Sequence, residues 1–155
     1  KTAYYTVATL PFALVFFLCR GYFTSGWPPP SVLAGFVLSL VFAFLLGYFL
    51  DLCIGLIGFW FLEVSSLLFV YMLFNFFLSG HMFPLDLLPE PWRTFVDFLP
   101  FQYLAYFPAA IFLGKVPPEQ LWWQLGIEAL WLVGLIGVAR VLYARGVRRY
   151  SGFGG

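Results

Sequence analysis

The sequence predicts an all-α integral membrane protein with four transmembrane helices and a proline-broken helical hairpin before the last of them. The first reason is composition: of 155 residues, 63% are hydrophobic and only 10% are charged. Soluble domains are roughly 45–50% apolar and about 25% charged. So few charges cannot cover a water-facing surface, and 21 Phe with 6 Trp exclude a disordered chain. The second reason is a series of long apolar runs, and the third is a cluster of prolines between two of them.

Four segments are long and apolar enough to cross a bilayer, which takes about 20 residues as helix. The proline-rich stretch 24–30 separates the first two, because proline lacks the amide donor. The apolar run from 31 to 80 is too long for one helix, and Gly55 and Gly58 mark its break. Pro118 opens the last segment. The predicted spans are about 4–23, 32–53, 59–79 and 119–142.

Residues 81–118 are too apolar for an ordinary loop, yet prolines interrupt them. Helical spacing over 92–99 places apolar side chains on one face and an Arg93–Asp97 pair on the other. A second piece, 101–113, is too short to cross the bilayer. Non-helical backbone at membrane depth is tolerated only against protein or a water-filled cavity. We therefore expect 81–118 to form a re-entrant or interfacial hairpin in the outer leaflet.

Charge placement predicts the orientation. With four spans both chain ends lie on one side of the membrane. Lys1, Arg140, Arg145, Arg148 and Arg149 flank those ends, whereas Arg20, Arg93 and Lys115 lie toward the other side. By the positive-inside rule the C-terminus is cytoplasmic, with Arg145, Arg148 and Arg149 as a cytoplasmic anchor.

Ionisable groups within spans are costly and are candidate functional residues. Asp51 and Glu63 each lie six residues from Ile57, so a symmetric hairpin places them at one depth. They form either a cytoplasmic gate or vestibule, or a pair of interface-level acids that reach water or a basic partner. Glu128 either lines the pathway or pairs with Arg20. Asn75 is a candidate pathway residue or an interhelical hydrogen-bonding group.

Other function classes find less support in the residues. Cys19 and Cys53 lie in apolar runs as core residues, and His81 has no neighbouring set of ligands for a metal. A net charge of +1 does not favour nucleic acid as a partner. A lipid-modifying membrane enzyme would need a nucleophile, base or metal set at one depth, and the sequence contains no such catalytic set. A membrane scaffold remains an alternative, but it would not require the proline-broken segment.

A series of short motifs follows the third span in a fixed order. Residues 77–89 read FLSGHMFPLDLLP, and Pro100-Phe101, Tyr106-Phe107-Pro108 and Leu113-Gly114-Lys115 come after them. In order and spacing these motifs resemble the membrane subunits of type-2 ABC exporters. The tail over 145–155, and Gly58-Phe59-Trp60 followed by Glu63, resemble one bacterial branch of that family.

The resemblance implies a bacterial inner-membrane permease with six spans, of which this chain would be the C-terminal part. It implies a permease dimer, identical or homologous, driven by two ATPase subunits that bind ATP and Mg²⁺. The chain itself has no G-x-x-x-x-G-K-[ST] phosphate loop. In such a permease the polar residues within the spans, Asp51, Glu63, Asn75 and Glu128, are the candidates for a pathway at the dimer interface. The outer gate would be the hairpin, with Pro84, Asp86, Pro89, Pro100, Pro108 and Gly114.

Overall fold

The computed structural model describes residues 9–11, 13–15, 17–19, 21, 28–61 and 63–150. Within these ranges the chain is helical and has no β-strand. Helix α1 is Pro30–Leu56, α2 is Ser65–Leu78, α3 is Glu90–Asp97, α4 is Tyr106–Phe112 and α5 is Pro118–Tyr150. Short 3₁₀ turns occupy Ile57–Phe59, Leu85–Leu87 and Pro100–Leu104. The predicted all-α class is confirmed.

Helices α1 and α5 are the two that are long and apolar enough to cross a membrane among the described residues. Both begin with a proline, whose missing amide would have no partner in the first turn. Helix α1 has 27 residues and α5 has 33, so each is longer than the roughly 30 Å hydrocarbon core. Glu119 in the first turn of α5, and Arg148 and Arg149 in its last, complement the helix dipole.

These two helices run parallel along an extended interface. Gly35 of α1 faces Leu121 of α5, and at the other end Gly146 of α5 faces Phe59 just beyond α1. A Cβ on Gly35 would lie 2.8 Å from a Leu121 methyl carbon, so any larger residue at this crossing would force the Leu121 side chain to move. Small side chains recur on the buried face of α1 at four-residue intervals, namely Gly35, Ser39 and Ala43. Small residues permit close helix packing in lipid, where hydrophobicity alone provides no driving force.

Helix α2 differs from the other two long apolar segments. It has 14 residues, about 21 Å at 1.5 Å per residue, and none of them is buried. The predicted span 59–79 is therefore longer than the observed helix, because the 3₁₀ turn and the irregular residues up to Val64 precede it. Of the four predicted spans, α1 and α5 meet the length requirement and α2 does not. Half of the first predicted span, 4–23, lies outside the described residues.

The hairpin between α2 and α5 packs deep against the α1–α5 interface. Leu46 lies sixteen residues into α1, about 24 Å along its axis, and shares one core cluster with Tyr103. The cluster also contains Phe107, Ile111, Leu121 and Leu125. At the C-terminal end of α4, the centre of the Phe112 ring lies 5.2 Å from the centre of the Phe36 ring. The hairpin thus packs against α1 beside α5.

Two local predictions for the hairpin need correction. The expected single helix over 101–113 is a 3₁₀ turn followed by α4, because Pro108 can occupy only the first turn of a helix. The apolar face expected over 92–99 is only partly buried: Val96 is 3% exposed, but Trp92 and Phe95 remain exposed. The predicted Arg93–Asp97 pair is present, with 3.8 Å between Nε and Oδ2.

Candidate functional site

The hairpin is joined to the end of α2 through backbone contacts. Gly80 adopts φ +85°, a conformation that only glycine takes up without strain. A Cβ at this position would lie 2.9 Å from Cβ of Tyr106, so the chain also needs the space that glycine leaves. The Tyr106 amide donates to the Ser79 carbonyl at 3.0 Å. The Ser79-Gly80 pair therefore fixes where α4 begins.

A second glycine determines the direction of Lys115. The amide of Lys115 donates to Ala110 at 2.9 Å and that of Gly114 donates to Ile111 at 3.1 Å. With Gly114 at φ +68°, this pattern is the Schellman motif that terminates helices. The chain leaves α4 so that the Lys115 side chain returns across the hairpin.

Asp86 is the centre of the resulting polar network. Its carboxylate accepts hydrogen bonds from the Tyr106 hydroxyl and from Lys115 Nζ, the latter at 2.6 Å. Arg93 adds an ion pair at 3.2 Å. The hydrogen bonds from Lys115 and Tyr106 lower the pKa of Asp86, and burial with the bond to Asp86 raises the pKa of Tyr106 to about 12. This Asp86 network connects three parts of the hairpin that are far apart in sequence.

An outer cavity of about 400 Å³ lies between the hairpin and the first turns of α5. Its walls combine aromatic rings with amides and with charged groups of both signs. The aromatic side chains are Tyr103, Tyr106, Phe107 and Trp123; the polar ones include Arg93, Asp97, Gln102, Lys115, Gln120 and Gln124. Burial raises the pKa of Asp97, although Arg93 opposes the change. Such a mixture suits a ligand that has both an apolar body and a polar end.

A buried carboxyl group lies on α5, four positions after Gln124, which lines this cavity. Glu128 of α5 and Ser39 of α1 are both 0% exposed. Ser39 is the polar side chain that faces the Glu128 carboxyl. Neither carboxyl oxygen, nor the Ser39 hydroxyl, has a hydrogen bond of good geometry to another described residue. Tyr103 lines the cavity and lies close enough to Glu128 for the two to interact electrostatically.

A second concavity of about 370 Å³ runs between α1 and α2. It contains two of the predicted pathway residues, Asp51 and Asn75, together with Tyr71 and His81. Asp51 is the acidic neighbour of Tyr71. The side chain of His81 is hydrogen-bonded to the Ser79 hydroxyl at 2.5 Å and stacks on Phe76. We call this concavity the α1–α2 groove.

Comparison with protein-family models shows the family of the chain. The model of the ABC-2 family transporter proteins matches residues 5–154. The chain belongs to this family. Searches of curated proteins and of solved structures each gave no significant match. The family is a transport component and not a catalytic one, and its permeases normally work with an ATPase partner.

The predicted site residues of this ABC-2 family protein fall in different places. Asp51 and Asn75 share the α1–α2 groove, whereas Glu128 lies in the α1–α5 interface. Glu63 is exposed and precedes α2, so the expected symmetric arrangement of Asp51 and Glu63 on two helices is wrong. Arg20, which was predicted as a possible partner of Glu128, lies outside the described residues.

The predicted gate residues divide into structural and polar roles. Pro84, Pro89 and Pro100 flank or open the short helical turns, and Pro108 is buried in α4. Gly114 terminates α4. Asp86, expected as a residue of the outer gate, is the acceptor of the hairpin's polar network. Arg145, Arg148 and Arg149 are exposed in the last turns of α5.

Several residues important to these sites were not predicted. Ser39 is one of two serines in the apolar helix α1, and nothing in its own segment indicates that it faces an acid. Tyr103 and Tyr106 are two of nine tyrosines. Lys115 lies 29 positions from its partner Asp86. The one available signal was the Leu113-Gly114-Lys115 motif, because Gly after a short helix predicts a Schellman cap that reverses the chain.

Proposed function

We propose that this chain is the permease subunit of an ATP-driven exporter and forms a translocation pathway with a second, identical or homologous, permease subunit. One observation carries the proposal: a hairpin whose parts are joined by a polar network centred on Asp86 packs through an apolar cluster against two helices that are long and apolar enough to cross a membrane. Membership of a transport family supports the same conclusion.

In this proposal the hairpin over 81–118 is the outer gate. Its polar contacts are side-chain contacts between segments that are distant in sequence, so they can separate without unfolding α1 or α5. The Asp86 ion pairs are half-exposed, and such pairs stabilise by about 1 kcal/mol or less. An interaction of this size holds a closed state and still permits opening in each transport cycle.

The α1–α2 groove supports a pathway at a subunit interface. Asp51 is exposed there beside Asn75, whose side-chain oxygen is buried without a hydrogen-bond partner in the described part of the chain. Helix α2 buries none of its apolar side chains within this chain. A second permease subunit packed on α2 would cover this face and enclose the groove.

The driving force belongs to other subunits in this proposal. ATP and Mg²⁺ bind to ATPase subunits at the cytoplasmic side, toward which the exposed Arg145, Arg148 and Arg149 point from the end of α5. Basic residues beside the last helix support a cytoplasmic C-terminus by the positive-inside rule. The proposal puts the protein in a bacterial inner membrane, as its resemblance to a bacterial branch of the family implies.

Co-purification tests the proposal. The full-length protein, solubilised gently from its native membrane, is expected to carry an ATPase subunit in fixed stoichiometry, and deletion of the gene is expected to increase accumulation of at least one exported compound. Asp51→Asn is expected to reduce export severalfold while folded yield is maintained, because the groove loses its acid. Glu63→Gln is the matched control and is expected to have a smaller effect, because Glu63 lies outside the groove.

The absence of any ATPase subunit from the purified protein, combined with unchanged accumulation on deletion, would overturn the exporter proposal. Equal losses of export and of folded yield in Asp51→Asn would show that the acid is structural and would remove it from the pathway.

A further inference from the structure

At the α1–α5 interface three polar atoms have no hydrogen bond of good geometry within the described part of the chain. They are the two carboxyl oxygens of Glu128 and the hydroxyl oxygen of Ser39, whose side chains face each other. Both residues are completely buried, and the neighbouring core is formed by apolar side chains such as Leu46, Leu121 and Leu125. A buried polar atom without a partner costs on the order of 1–3 kcal/mol. Three of them at a helix interface indicate a site for a ligand.

The three atoms form a defined pattern of acceptors. An ionised carboxylate accepts through both oxygens, and a hydroxyl oxygen accepts as well. A primary ammonium has three N–H donors and no acceptor. It therefore matches the three oxygens in number, and its positive charge neutralises the carboxylate.

The outer cavity provides a route to these atoms. Gln124 and Ile127, both of which line the cavity, lie four positions and one position before Glu128 on α5. Tyr103 lines the cavity and also interacts electrostatically with Glu128, so it is the lining residue that connects the two sites. In the proposed route, movement of the Tyr103 side chain opens the cavity toward the carboxyl group. The aromatic walls would then hold the apolar part of a ligand whose charged end reaches Glu128.

We propose that Glu128 and Ser39 bind the primary ammonium group of an amphipathic amine that enters through the outer cavity. The inference deepens the proposed transport function by naming a substrate class, and it rests on that function for its biological role. In the empty site an unpaired carboxylate in an apolar interface is unfavourable, so Glu128 is carried as the neutral acid. Binding then exchanges one proton for one ammonium: the carboxyl O–H bond breaks, the proton leaves to water, and the carboxylate accepts the ammonium N–H groups.

Among the residues that the structure describes, few other titratable groups face Glu128. From α1 the facing polar group is Ser39, which does not titrate. From the turn Pro100–Leu104 it is Tyr103, whose pKa is raised to about 12 by burial and by Glu128 itself. In α4 the hydroxyl of Tyr106 is bound to Asp86, and the buried side chains of α4 are apolar. Near neutral pH the proton released on binding should therefore come from Glu128.

The test is binding of 4-phenylbutylamine and of its N,N,N-trimethyl derivative to the purified full-length permease in lipid nanodiscs. Calorimetry in buffers of different ionisation enthalpy measures the protons released. Wild-type protein is expected to bind the primary amine with release of about one proton, because each ammonium displaces one carboxyl proton. The trimethyl derivative has the same charge without N–H donors, and is expected to bind roughly 30-fold more weakly.

Three variants locate the site. Glu128→Gln is expected to abolish proton release and to weaken binding of the primary amine by roughly 100-fold, since the charge partner is lost. Ser39→Ala is expected to weaken it roughly tenfold with proton release intact. Glu119→Gln is the matched control, because it makes the same change on the same helix at an exposed position. It is expected to bind like the wild type.

The proposal is overturned if wild-type protein shows no saturable binding of the primary amine, if both probes bind equally well, or if Glu128→Gln retains binding. Should Glu128→Gln fail to fold, the ratio between the two probes and the Ser39→Ala variant decide the question. Because binding requires no transport, a missing ATPase subunit would refute the exporter proposal without affecting this result, and absent amine binding would leave the exporter proposal standing.

Discussion

Helices α2 and α5 are both apolar, yet they are held in different ways. Helix α5 is packed along its length, with Leu121, Leu125 and Ala139 buried against α1 and the hairpin. Helix α2 buries no side chain. It is attached to the hairpin at its C-terminal end, where the Tyr106 amide meets the Ser79 carbonyl beside Gly80.

The difference follows from the side chains that α1 and α2 present to their neighbours. Helix α1 presents Gly35 and Ser39 to α5, so the two backbones approach closely and many weak contacts form. Helix α2 carries mainly bulky Leu and Phe side chains, which are equally well solvated by lipid. In a bilayer, apolar character places a helix in the membrane, but small residues and polar contacts decide what it packs against.

We expect the largest loss of stability from a substitution at the point where α2 is attached to the hairpin. Gly80→Ala is expected to destabilise the protein by about 2–4 kcal/mol, because it combines a left-handed conformation with a Cβ that would meet Tyr106. Gly114→Ala is the matched control: its φ is also positive, but no atom lies within 4 Å of the added carbon. It should cost about 1–2 kcal/mol. Thermal denaturation in nanodiscs, followed by tryptophan fluorescence, measures both.

Equal losses in the two variants would mean that the close contact between Gly80 and Tyr106 is unimportant. In that case the attachment of α2 would depend on turn conformation alone.

The next effect concerns packing along the helices. Leu46→Ala removes a side chain that is 0% exposed, within the cluster that joins α1 to the hairpin. We expect a loss of about 1–3 kcal/mol, the lower part of the range for core truncations, because the unfolded helix keeps its leucine in lipid. Phe69→Ala in α2, at a side chain 59% exposed, should change stability by less than about 0.5 kcal/mol. The same denaturation measurement applies.

A large loss in Phe69→Ala would contradict the comparison for the single chain. If the loss appeared only at protein concentrations that favour a permease dimer, it would instead support packing of a second subunit on α2.

Sequence reasoning predicted the parts of this architecture that depend on local pattern. Composition predicted the bilayer, Gly55 and Gly58 indicated where α1 ends near Leu56, and the spacing of Arg93 and Asp97 predicted their pair. The prolines of 81–118 predicted a broken hairpin. Each of these follows from backbone preferences or from neighbours within one helix.

The contacts between segments could not be predicted in the same way. Ser39 faces Glu128 across an interface whose register depends on where Gly35 meets Leu121, and no single helix reveals that register. Asp86 was recognised in a motif, but its partner Lys115 depends on how Gly114 turns the chain. The site therefore requires the fold, even where each of its residues is conspicuous in the sequence.

The smallest expected effect concerns the polar contacts of the hairpin. Asp86→Asn removes the acceptor charge for Lys115 and Arg93 and should cost about 1 kcal/mol, since both pairs are half-exposed. The pKa of Asp86 is lowered in the folded protein, so its stabilisation is present above the unfolded value near 4 and is lost as pH falls through the folded value. The melting temperature of the wild-type protein should therefore fall below about pH 4, and that of Asp86→Asn should fall by less.

Asp97→Asn distinguishes this network from the neighbouring pair. Burial raises the pKa of Asp97, so its folded form retains the proton to higher pH and its contribution to stability falls as pH rises through that range. Removing Asp97 should therefore leave the acid sensitivity of the wild type in place, whereas removing Asp86 should reduce it. If the melting temperature of both variants still fell by the full wild-type amount below pH 4, the acid sensitivity would arise from other groups. The hairpin would then be held by the packing of α4 against α1 and α5 and not by Asp86.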